Sequence, residues 1–327
     1  MSGIQYDPEH IARFYDEYGA REWERFDLSA MDRVGLEVHL RLLREHIRVG
    51  DRVLDAGAGP GRFTLELARL GARVVVGDIS PAQLELHAEK TASVEDSIES
   101  RELLDITDLG RFPDGSFDAA LCFGGPLSYV LGEADRALSE LLRVTKRGGR
   151  VLLSVMSLLG TARTFFEQIS GLVDEFGWQR AVVDVFETGD LDGELNKGHV
   201  LRLYRWSSLE QLLGRHPCRI ITASAANFLS ARNDAWDERF LEIELQACRE
   251  PGALDGGTHI VVVLERTCKR RGRDTVTPMP LADEVARDSP IRQNREAFLV
   301  RSAVLDPRHL GGHAELAPTQ AAVPVEH

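Results

Sequence analysis

Three glycines and two aspartates near the start of the sequence have the types and spacing to bind a small ligand. The glycines follow the pattern G-x-G-x-G at Gly57, Gly59 and Gly61, and Asp55 precedes them by two residues. Glycine allows a sharp turn and the close approach of a ligand, which a Cβ atom would prevent. Asp78 ends the next apolar run, where a carboxylate can accept hydrogen bonds from ribose hydroxyls. Since Asp55 would repel a pyrophosphate, the pattern favours a cationic ligand that carries a ribose.

A β-strand, a helix and a second β-strand must position these residues. An apolar run over 53–55 closes on Asp55, residues 62–70 carry apolar side chains at helical spacing, and residues 73–76 form a second apolar run. The helix that follows the glycines would offer its unpaired N-terminal N–H groups to a ligand. The glycine spacing and Asp55 differ from the G-x-G-x-x-G fingerprint of nicotinamide-binding proteins, which disfavours an oxidoreductase.

The same alternation of strands and helices continues along the chain and predicts a doubly wound parallel α/β sheet. The predicted helices cover 11–25, 33–46, 80–90, 131–144, 206–213 with a serine cap, and 236–249. The predicted strands after the first two are a short one that ends on Asp105, one that reaches Phe123, and the apolar segments 151–156, 218–225 and 259–265. Residues 93–102 are predicted as a polar connection, and residues 146–150 as a sharp turn into the following strand.

The whole pattern resembles the class I S-adenosylmethionine (SAM)-dependent methyltransferases, most closely those that act on small molecules. The resemblance rests on the segment 53–61, on Asp78, on the pair Phe117-Asp118 before an apolar strand, and on the basic-Gly-Gly turn at 146–150. It extends from about Tyr15 to Arg266. It implies a Rossmann-like seven-stranded sheet with an antiparallel last strand, an N-terminal helical lid, a cap insertion after strand five, and SAM as the cofactor.

The resemblance also implies which residues bind the cofactor. Tyr15 and Tyr18, on the predicted helix 11–25, would cover the cofactor as a lid, although the same aromatic side chains would also suit a helix that simply packs on the domain. Asp105 would accept a hydrogen bond from the adenine amino group, with Asp108 as a rival that fits a loop or cap position better. The complete set of implied cofactor residues is Tyr15, Tyr18, Asp55, Gly57, Ala58, Gly59, Gly61, Asp78, Ile79, Asp105, Ile106, Phe123 and Gly124.

A long insertion at 157–205 contains the candidate catalytic residues. Loops at the carboxyl ends of sheet strands build the binding crevice of open α/β folds, so this insertion is expected to cover the methyl acceptor. His199, with Tyr204 near it, could accept a proton from an acceptor hydroxyl or amine near neutral pH. The alternative is that His199 only makes a structural hydrogen bond in a loop. Arg202 could hold an acceptor carboxylate or form the solvated face of a strand.

Composition and charge disfavour several other classes of protein. The chain has 327 residues, of which 43% are hydrophobic and 28% charged, as in ordinary globular proteins. A net charge of −13 and a pI near 5.3 disfavour a nucleic-acid partner. The four cysteines are scattered without a C-x-x-C pair, so no metal site is predicted. The sequence has neither a signal-peptide pattern nor an apolar run of about 18 residues, which predicts a cytoplasmic protein without membrane contact.

The sequence predicts three parts and one enzymatic function. The parts are a helical lid at 1–48, a methyltransferase domain at 49–266 that includes the cap at 157–205, and a disordered tail at 267–327. The expected function is transfer of a methyl group from SAM to an O, N or C nucleophile of a small-molecule metabolite. An RNA or protein methyltransferase and a non-catalytic SAM-binding subunit are the alternatives. Residues 122–129 lack the Asn/Asp-Pro-Pro-Tyr/Phe sequence typical of nucleobase methyltransferases, and the oligomeric state stays open.

Overall fold

A computed structural model of the chain describes residues 4–232 and 238–268, and these residues contain nine β-strands. The strands are β1 (Arg52–Ala56), β2 (Arg73–Asp78), β3 (Ile98–Leu103), β4 (Phe117–Cys122), β5 (Thr145–Met156), β6 (Asp190–Leu191), β7 (Leu201–Arg202), β8 (Cys218–Ala225) and β9 (His259–Arg266). Seven of them form one sheet in the order β3-β2-β1-β4-β5-β9-β8, and β6 and β7 form a separate antiparallel pair. Strands β1 to β5 are parallel, whereas β9 runs antiparallel to both of its neighbours. This topology confirms the predicted seven-stranded Rossmann-like α/β fold.

Twelve α-helices accompany the sheet within the described residues. They are α1 (Pro8–Tyr18), α2 (Arg21–Glu24), α3 (Ala30–His46), α4 (Arg62–Arg69), α5 (Pro81–Lys90), α6 (Pro126–Tyr129), α7 (Ala134–Val144), α8 (Leu158–Thr164), α9 (Phe166–Phe176), α10 (Val185–Thr188), α11 (Trp206–Gly214) and α12 (Glu238–Cys248). Short 3-10 helices cover Arg25–Asp27, Ala92–Ser97, Leu131–Glu133, Leu229–Arg232 and Pro251–Gly256, and a π-helix covers Gln179–Asp184. Each of these helices is too short or too polar to cross a lipid bilayer.

Both faces of the sheet are buried, which explains the continuous apolar runs in the sequence. In β1, Leu54 packs with Leu138 and Leu141 of α7, whereas its neighbour Val53 packs with Leu42 of α3 in a second core cluster. Successive side chains of a strand point to opposite faces, so a parallel strand that is covered on both sides carries apolar residues throughout. The strand order reverses between β1 and β4, which is where ligands bind in open α/β sheets.

The predicted bounds of the third strand were wrong. Strand β3 begins at Ile98, inside the predicted polar connection, and it ends at Leu103, two residues before Asp105. It lies at one end of the strand order, and all its residues are at least partly exposed. A strand at the edge of a sheet with solvent beside it needs no apolar run, so its sequence resembles that of a polar loop.

Two predicted helices have other bounds in the structure, because a residue with a positive φ interrupts the helical backbone in each predicted range. The predicted helix 11–25 is divided: α1 ends at Tyr18, and Gly19 follows with a φ of +55°. The predicted helix 131–144 begins only at Ala134, after Leu131 with a φ of +47°. Left-handed residues of this kind stop an α-helix, and their positions depend on tertiary contacts that helical periodicity does not contain.

Two further local predictions were wrong in detail. Residues 146–150 are part of β5 rather than a turn before it, and Gly148, with a φ of +74°, accompanies a register shift against β4. Helix α11 is capped by Arg205 rather than by a serine. The backbone N–H of Arg205 donates a hydrogen bond to Ser208 Oγ at 3.0 Å, so the serine acts from inside the first turn.

The predicted division of the chain into parts stays a prediction. The 157–205 segment folds into α8, α9, the π-helix, α10 and the β6–β7 pair. Residues 269–327, which include most of the predicted tail and a helical possibility at 281–287, lie outside the described residues. The limits 1–48, 49–266 and 267–327 are therefore expectations from the sequence.

Candidate active site

An open cavity of about 600 Å³, including the solvent space at its opening, lies at the carboxyl ends of β1, β2 and β4. Eight of the thirteen predicted cofactor residues line it, namely Tyr15, Gly57, Gly59, Asp78, Ile79, Ile106, Phe123 and Gly124. The lining also includes residues that the sequence did not single out, namely Tyr6, Ile11, Glu22, Gln83, Leu104, Pro126, Tyr129 and Val130.

The glycine loop owes its residue types to backbone geometry and close packing. Gly57, Gly59 and Gly61 have φ values of +77°, +53° and +94°, a backbone region that residues other than glycine rarely adopt. A Cβ atom on Gly57 would lie 2.4 Å from Cγ of Pro126, which also lines the cavity. On Gly61 it would lie 2.5 Å from Thr91 Cγ2, so Gly61 is required by packing between helices and does not line the cavity.

The carboxylate of Asp78 is held in place at the cavity wall by backbone N–H groups. Gly59 N donates to Oδ2 at 2.8 Å and Ser80 N donates to Oδ1 at 2.9 Å. Burial raises the pKa of Asp78 to about 6, although the two N–H groups act in the opposite direction. Each carboxylate oxygen has two lone pairs, so both can accept a further hydrogen bond from a ligand hydroxyl.

Asp55 does not line the cavity. Its side chain is buried, and Oδ2 accepts a hydrogen bond from Thr64 Oγ1 at 2.6 Å. The same hydroxyl lies 2.9 Å from His87 Nε2, so Asp55 belongs to a polar cluster inside the domain. Burial raises the pKa of Asp55 to about 7, which is the cost of keeping a carboxyl group away from water. The structure therefore places Asp55 inside the domain, and its carboxylate is not part of the cavity lining.

Asp105 also lies outside the cavity lining, together with Ala58 and Tyr18. Thr107 N donates to Asp105 Oδ1 at 2.8 Å, and Asp105 lines a separate pocket together with Tyr6. The residues on either side, Leu104 and Ile106, line the cavity instead. Ile79, Leu104 and Ile106 thus give the cavity an apolar wall, and Asp105 is not part of that wall.

The aromatic residues of α1 form a cluster over one side of the cavity. The Tyr15 ring lies 5.6 Å from the Tyr129 ring, and the two ring planes are inclined at 48° to one another. Tyr129 in turn donates to the carbonyl oxygen of Gly124 at 2.9 Å. Helix α1 is attached to α5 by Gln83, whose Nε2 donates to the carbonyl oxygen of Tyr15 at 2.9 Å. The helix is therefore connected to the segment that begins at Asp78.

The two predicted catalytic residues do not line the cavity. His199 stacks on Phe14 at a ring distance of 4.2 Å and lies 4.7 Å from the Tyr129 ring, so it touches the wall from behind. Its buried Nε2 has no hydrogen-bond partner among the described residues, and burial lowers its pKa to about 4. Tyr204 is part of the hydrophobic core, and burial raises its pKa to about 12.

Some residues of the lining carried a weak sequence signal, and others carried none. Glu22 lies within the predicted helix 11–25, but a charged residue of an amphipathic helix is expected to face solvent. Tyr129 lies in the small-residue segment after β4, where a helical turn, α6, turns its ring into the cavity. Gln83 follows the Ser80 cap by three residues and has no distinguishing pattern. Only the tertiary structure brings these three residues to Gly57 and Asp78.

Comparisons with known proteins agree with this geometry. Residues 53–149 match a family model described as a methyltransferase domain. A demethylmenaquinone methyltransferase from Clavibacter sepedonicus is 41% identical over 108 residues, which cover 33% of this chain and 42% of that protein. The protein of the same name from Thermobifida fusca is 34% identical over 158 residues, covering 47% of this chain and 64% of its own. The chain thus spans less than two thirds of the curated relatives that it matches first.

A solved structure extends the likeness to the fold. The 1,6-didemethyltoxoflavin-N1-methyltransferase from Burkholderia thailandensis, solved with 1,6-didemethyltoxoflavin and S-adenosylhomocysteine, superposes with a TM-score of 0.53 at 15% identity. The match covers 82% of this chain and 94% of that one. The chain therefore carries a methyltransferase domain, as the resemblance of its sequence predicted, and it has the class I methyltransferase fold.

Proposed function

We propose that the chain is an enzyme that transfers a methyl group from SAM to an O, N or C atom of a small molecule. The observation that carries this proposal is the cavity at the carboxyl ends of β1, β2 and β4, where Asp78 and the glycines at 57 and 59 meet. The names of the relatives, demethylmenaquinone methyltransferase among them, indicate small-molecule acceptors for those proteins. The net charge of −13 supports the same class of acceptor over RNA.

The residues of the cavity fit the chemical groups of the cofactor. Ile79, Leu104 and Ile106 offer an apolar surface to adenine, and Asp78 can accept hydrogen bonds from the ribose hydroxyls. In this arrangement the remaining part of the cavity, between Gly57 and Gly124, takes the amino-acid end and the methyl group. SAM supplies an electrophilic methyl group on a sulfonium, and the chain aligns the acceptor with it.

The protein's own contribution to the reaction is alignment and exclusion of water. Methyl transfer proceeds in line, so holding both reactants at the right distance and angle lowers much of the barrier. The rings of Tyr15 and Tyr129 close the cavity on the α1 side, and tyrosine faces attract cations. The 157–205 segment, which follows β5, is proposed to cover the acceptor. The cytoplasmic location stays a prediction from the sequence.

Calorimetric titration with S-adenosylhomocysteine, with NADH as the control ligand, tests the cofactor. Binding of the first ligand alone is expected. A panel of small-molecule acceptors is then incubated with SAM labelled on its methyl group, and the label in the product is counted. Tight binding without transfer to any acceptor would favour a SAM-binding subunit, and retention of RNA at moderate salt would favour a polymer substrate. Binding of NADH instead would contradict the proposal.

Replacement of His199 tests its predicted role as a general base. If His199 acted as the base, His199→Ala would lower turnover by about 100-fold with the affinity for S-adenosylhomocysteine unchanged, because general bases contribute about 10²–10⁴ in rate. Its position outside the cavity lining leads us to expect near-normal turnover instead. His199→Phe keeps the stacking on Phe14 but removes the nitrogen, so it should also turn over normally, and a loss of about 100-fold in both variants would support the base. His216→Ala is the control, since His216 contacts Asp135 away from the cavity lining.

A further inference from the structure

The amino-acid end of the cofactor needs a binding partner that Asp55 does not provide. This end carries an ammonium and a carboxylate, and burying either group without a partner is costly. Asp55 is 2% exposed and accepts a hydrogen bond from Thr64. Among the described residues that line the cavity, the carboxylates are those of Asp78, which faces the ribose in the proposed function, and Glu22. Glu22 is therefore the carboxylate left for the ammonium.

Glu22 lies against the glycine loop and forms a salt bridge with Arg25. Its Cγ would be 3.5 Å from a Cβ atom on Gly59, so its side chain extends over the loop. Arg25 Nε donates to Glu22 Oε1 at 2.5 Å, and the two side chains are only 23% and 17% exposed, for Arg25 and Glu22 respectively. The pair is thus a partly buried carboxylate and guanidinium beside the glycine loop, and of the two residues Glu22 lines the cavity.

Arg25 reaches the other side of the same region. A Cβ atom on Gly124 would lie 3.0 Å from Arg25 Nη2, so the guanidinium lies directly on this glycine. The charge of Arg25 also acts on the hydroxyl groups of Tyr15 and Tyr129, which line the cavity. Glu22 and Arg25 therefore lie across the region that runs from Gly59 to Gly124, with one charge toward each end.

We propose that Glu22 and Arg25 bind the zwitterionic amino-acid end of the cofactor, Glu22 through the ammonium and Arg25 through the carboxylate. When the ligand binds, the salt bridge between Glu22 and Arg25 is replaced by an ion pair of Glu22 with the ligand ammonium and one of Arg25 with the ligand carboxylate. Every charge therefore keeps a partner of opposite sign. Both residues belong to the segment that follows Gly19, so the bound amino acid would hold this segment closed over the cavity. The proposal rests on the proposed function, because it takes SAM as the cofactor.

Three ligands that differ only at the amino-acid end separate the two contacts. S-adenosylhomocysteine has both groups, its decarboxylated analogue with a 3-aminopropylthio chain keeps the amine alone, and 5′-methylthioadenosine has neither. Each is titrated by calorimetry into the full chain and into the variants Glu22→Gln and Arg25→Gln. The wild type should bind S-adenosylhomocysteine most tightly and 5′-methylthioadenosine most weakly. Equal affinity of the wild type for these two ligands would overturn the proposal without any substitution.

The variants should respond differently to the three ligands. Glu22→Gln should weaken S-adenosylhomocysteine and the amine analogue by about 10- to 100-fold, the usual range for a lost hydrogen bond to a charged group. Arg25→Gln should weaken S-adenosylhomocysteine to a similar extent but leave the amine analogue unchanged or tighter, since Glu22 is then free. Neither variant should change the affinity for 5′-methylthioadenosine.

Controls and contrary outcomes are equally specific. Glu24→Gln and Arg21→Gln alter exposed residues of the same short helix and should leave all three affinities unchanged. Equal loss of all three ligands in Glu22→Gln or Arg25→Gln would mean that the pair supports the segment rather than the amino acid, and would overturn the proposal. Failure of the wild type to bind any of the three ligands would instead contradict the proposed cofactor itself.

Discussion

Replacement of Asp78 by alanine should weaken binding of S-adenosylhomocysteine by about 100-fold, because two hydrogen bonds to a carboxylate contribute about 1.5 kcal/mol or more each. The carboxylate of Asp78 lies at the cavity wall and has lone pairs to spare for both ribose hydroxyls. Alanine would also release the N–H groups of Gly59 and Ser80 and so loosen the glycine loop. Calorimetric titration measures the affinity directly.

A matched control and a stability measurement complete the Asp78 experiment. Asp108→Ala removes an exposed carboxylate that accepts only from Gly110 N, at 3.0 Å, among the described residues, and should leave the affinity unchanged. The melting temperature of Asp78→Ala should change little. The variant loses two hydrogen bonds but no longer buries a carboxylate whose pKa burial raises to about 6. Unchanged affinity in Asp78→Ala would mean that the cofactor lies in a different register from the one proposed.

Replacement of Gly57 by alanine should destabilise the domain by about 2–4 kcal/mol, since a left-handed φ and a steric overlap each cost about 1–2 kcal/mol. The Cβ atom would lie 2.4 Å from Cγ of Pro126, a ring atom that cannot rotate away, and the φ of Gly57 is +77°. Because both residues line the cavity, the affinity for S-adenosylhomocysteine should also fall by about tenfold or more, which corresponds to about 1.4 kcal/mol. Thermal unfolding and calorimetric titration measure the two effects.

Gly50 provides a control that separates backbone strain from steric overlap. It has a φ of +85°, close to that of Gly57, but a Cβ atom there would meet nothing within 4 Å. Gly50→Ala should therefore lower the melting temperature through strain alone and leave the affinity for S-adenosylhomocysteine unchanged. If the two alanine variants lost the same stability and neither lost affinity, the contact between Gly57 and Pro126 would have no role in shaping the cavity.

The buried acids illustrate what the sequence leaves open about the site and why. The sequence pattern put Asp55 and Asp105 among the cofactor residues, and the structure places each carboxylate in contact with another protein group. Thr64 donates to Asp55, the backbone N–H of Thr107 donates to Asp105, and Tyr6, far away in the chain, lines the same pocket as Asp105. The direction of a short acidic side chain is set by the donors that happen to be near it in space. Glu22 could not be found for the same reason, because its approach to Gly59 depends on how two distant segments pack.

Backbone conformation explains why the central unit was easier to predict than its surroundings. The strand, glycine loop and helix from Arg52 to Arg69 follow from apolar periodicity and from the three glycines with positive φ, all of which are local properties. The polar edge strand β3 and the divided helix after Tyr18 had no comparable local signal. Their form depends on what the neighbouring segments cover and on where solvent reaches.

The sequence alone therefore determined the doubly wound fold, the glycine loop and the acid Asp78, because residue spacing encodes strand and helix periods and glycine encodes the left-handed turn. The tertiary structure alone decided which acids face the cavity, how α1 places Tyr15 against Tyr129, and that His199 packs behind this wall. Those outcomes depend on contacts between residues that are far apart in the chain. The free energy of such contacts is set by burial and by hydrogen-bond partners, which exist only once the chain has folded.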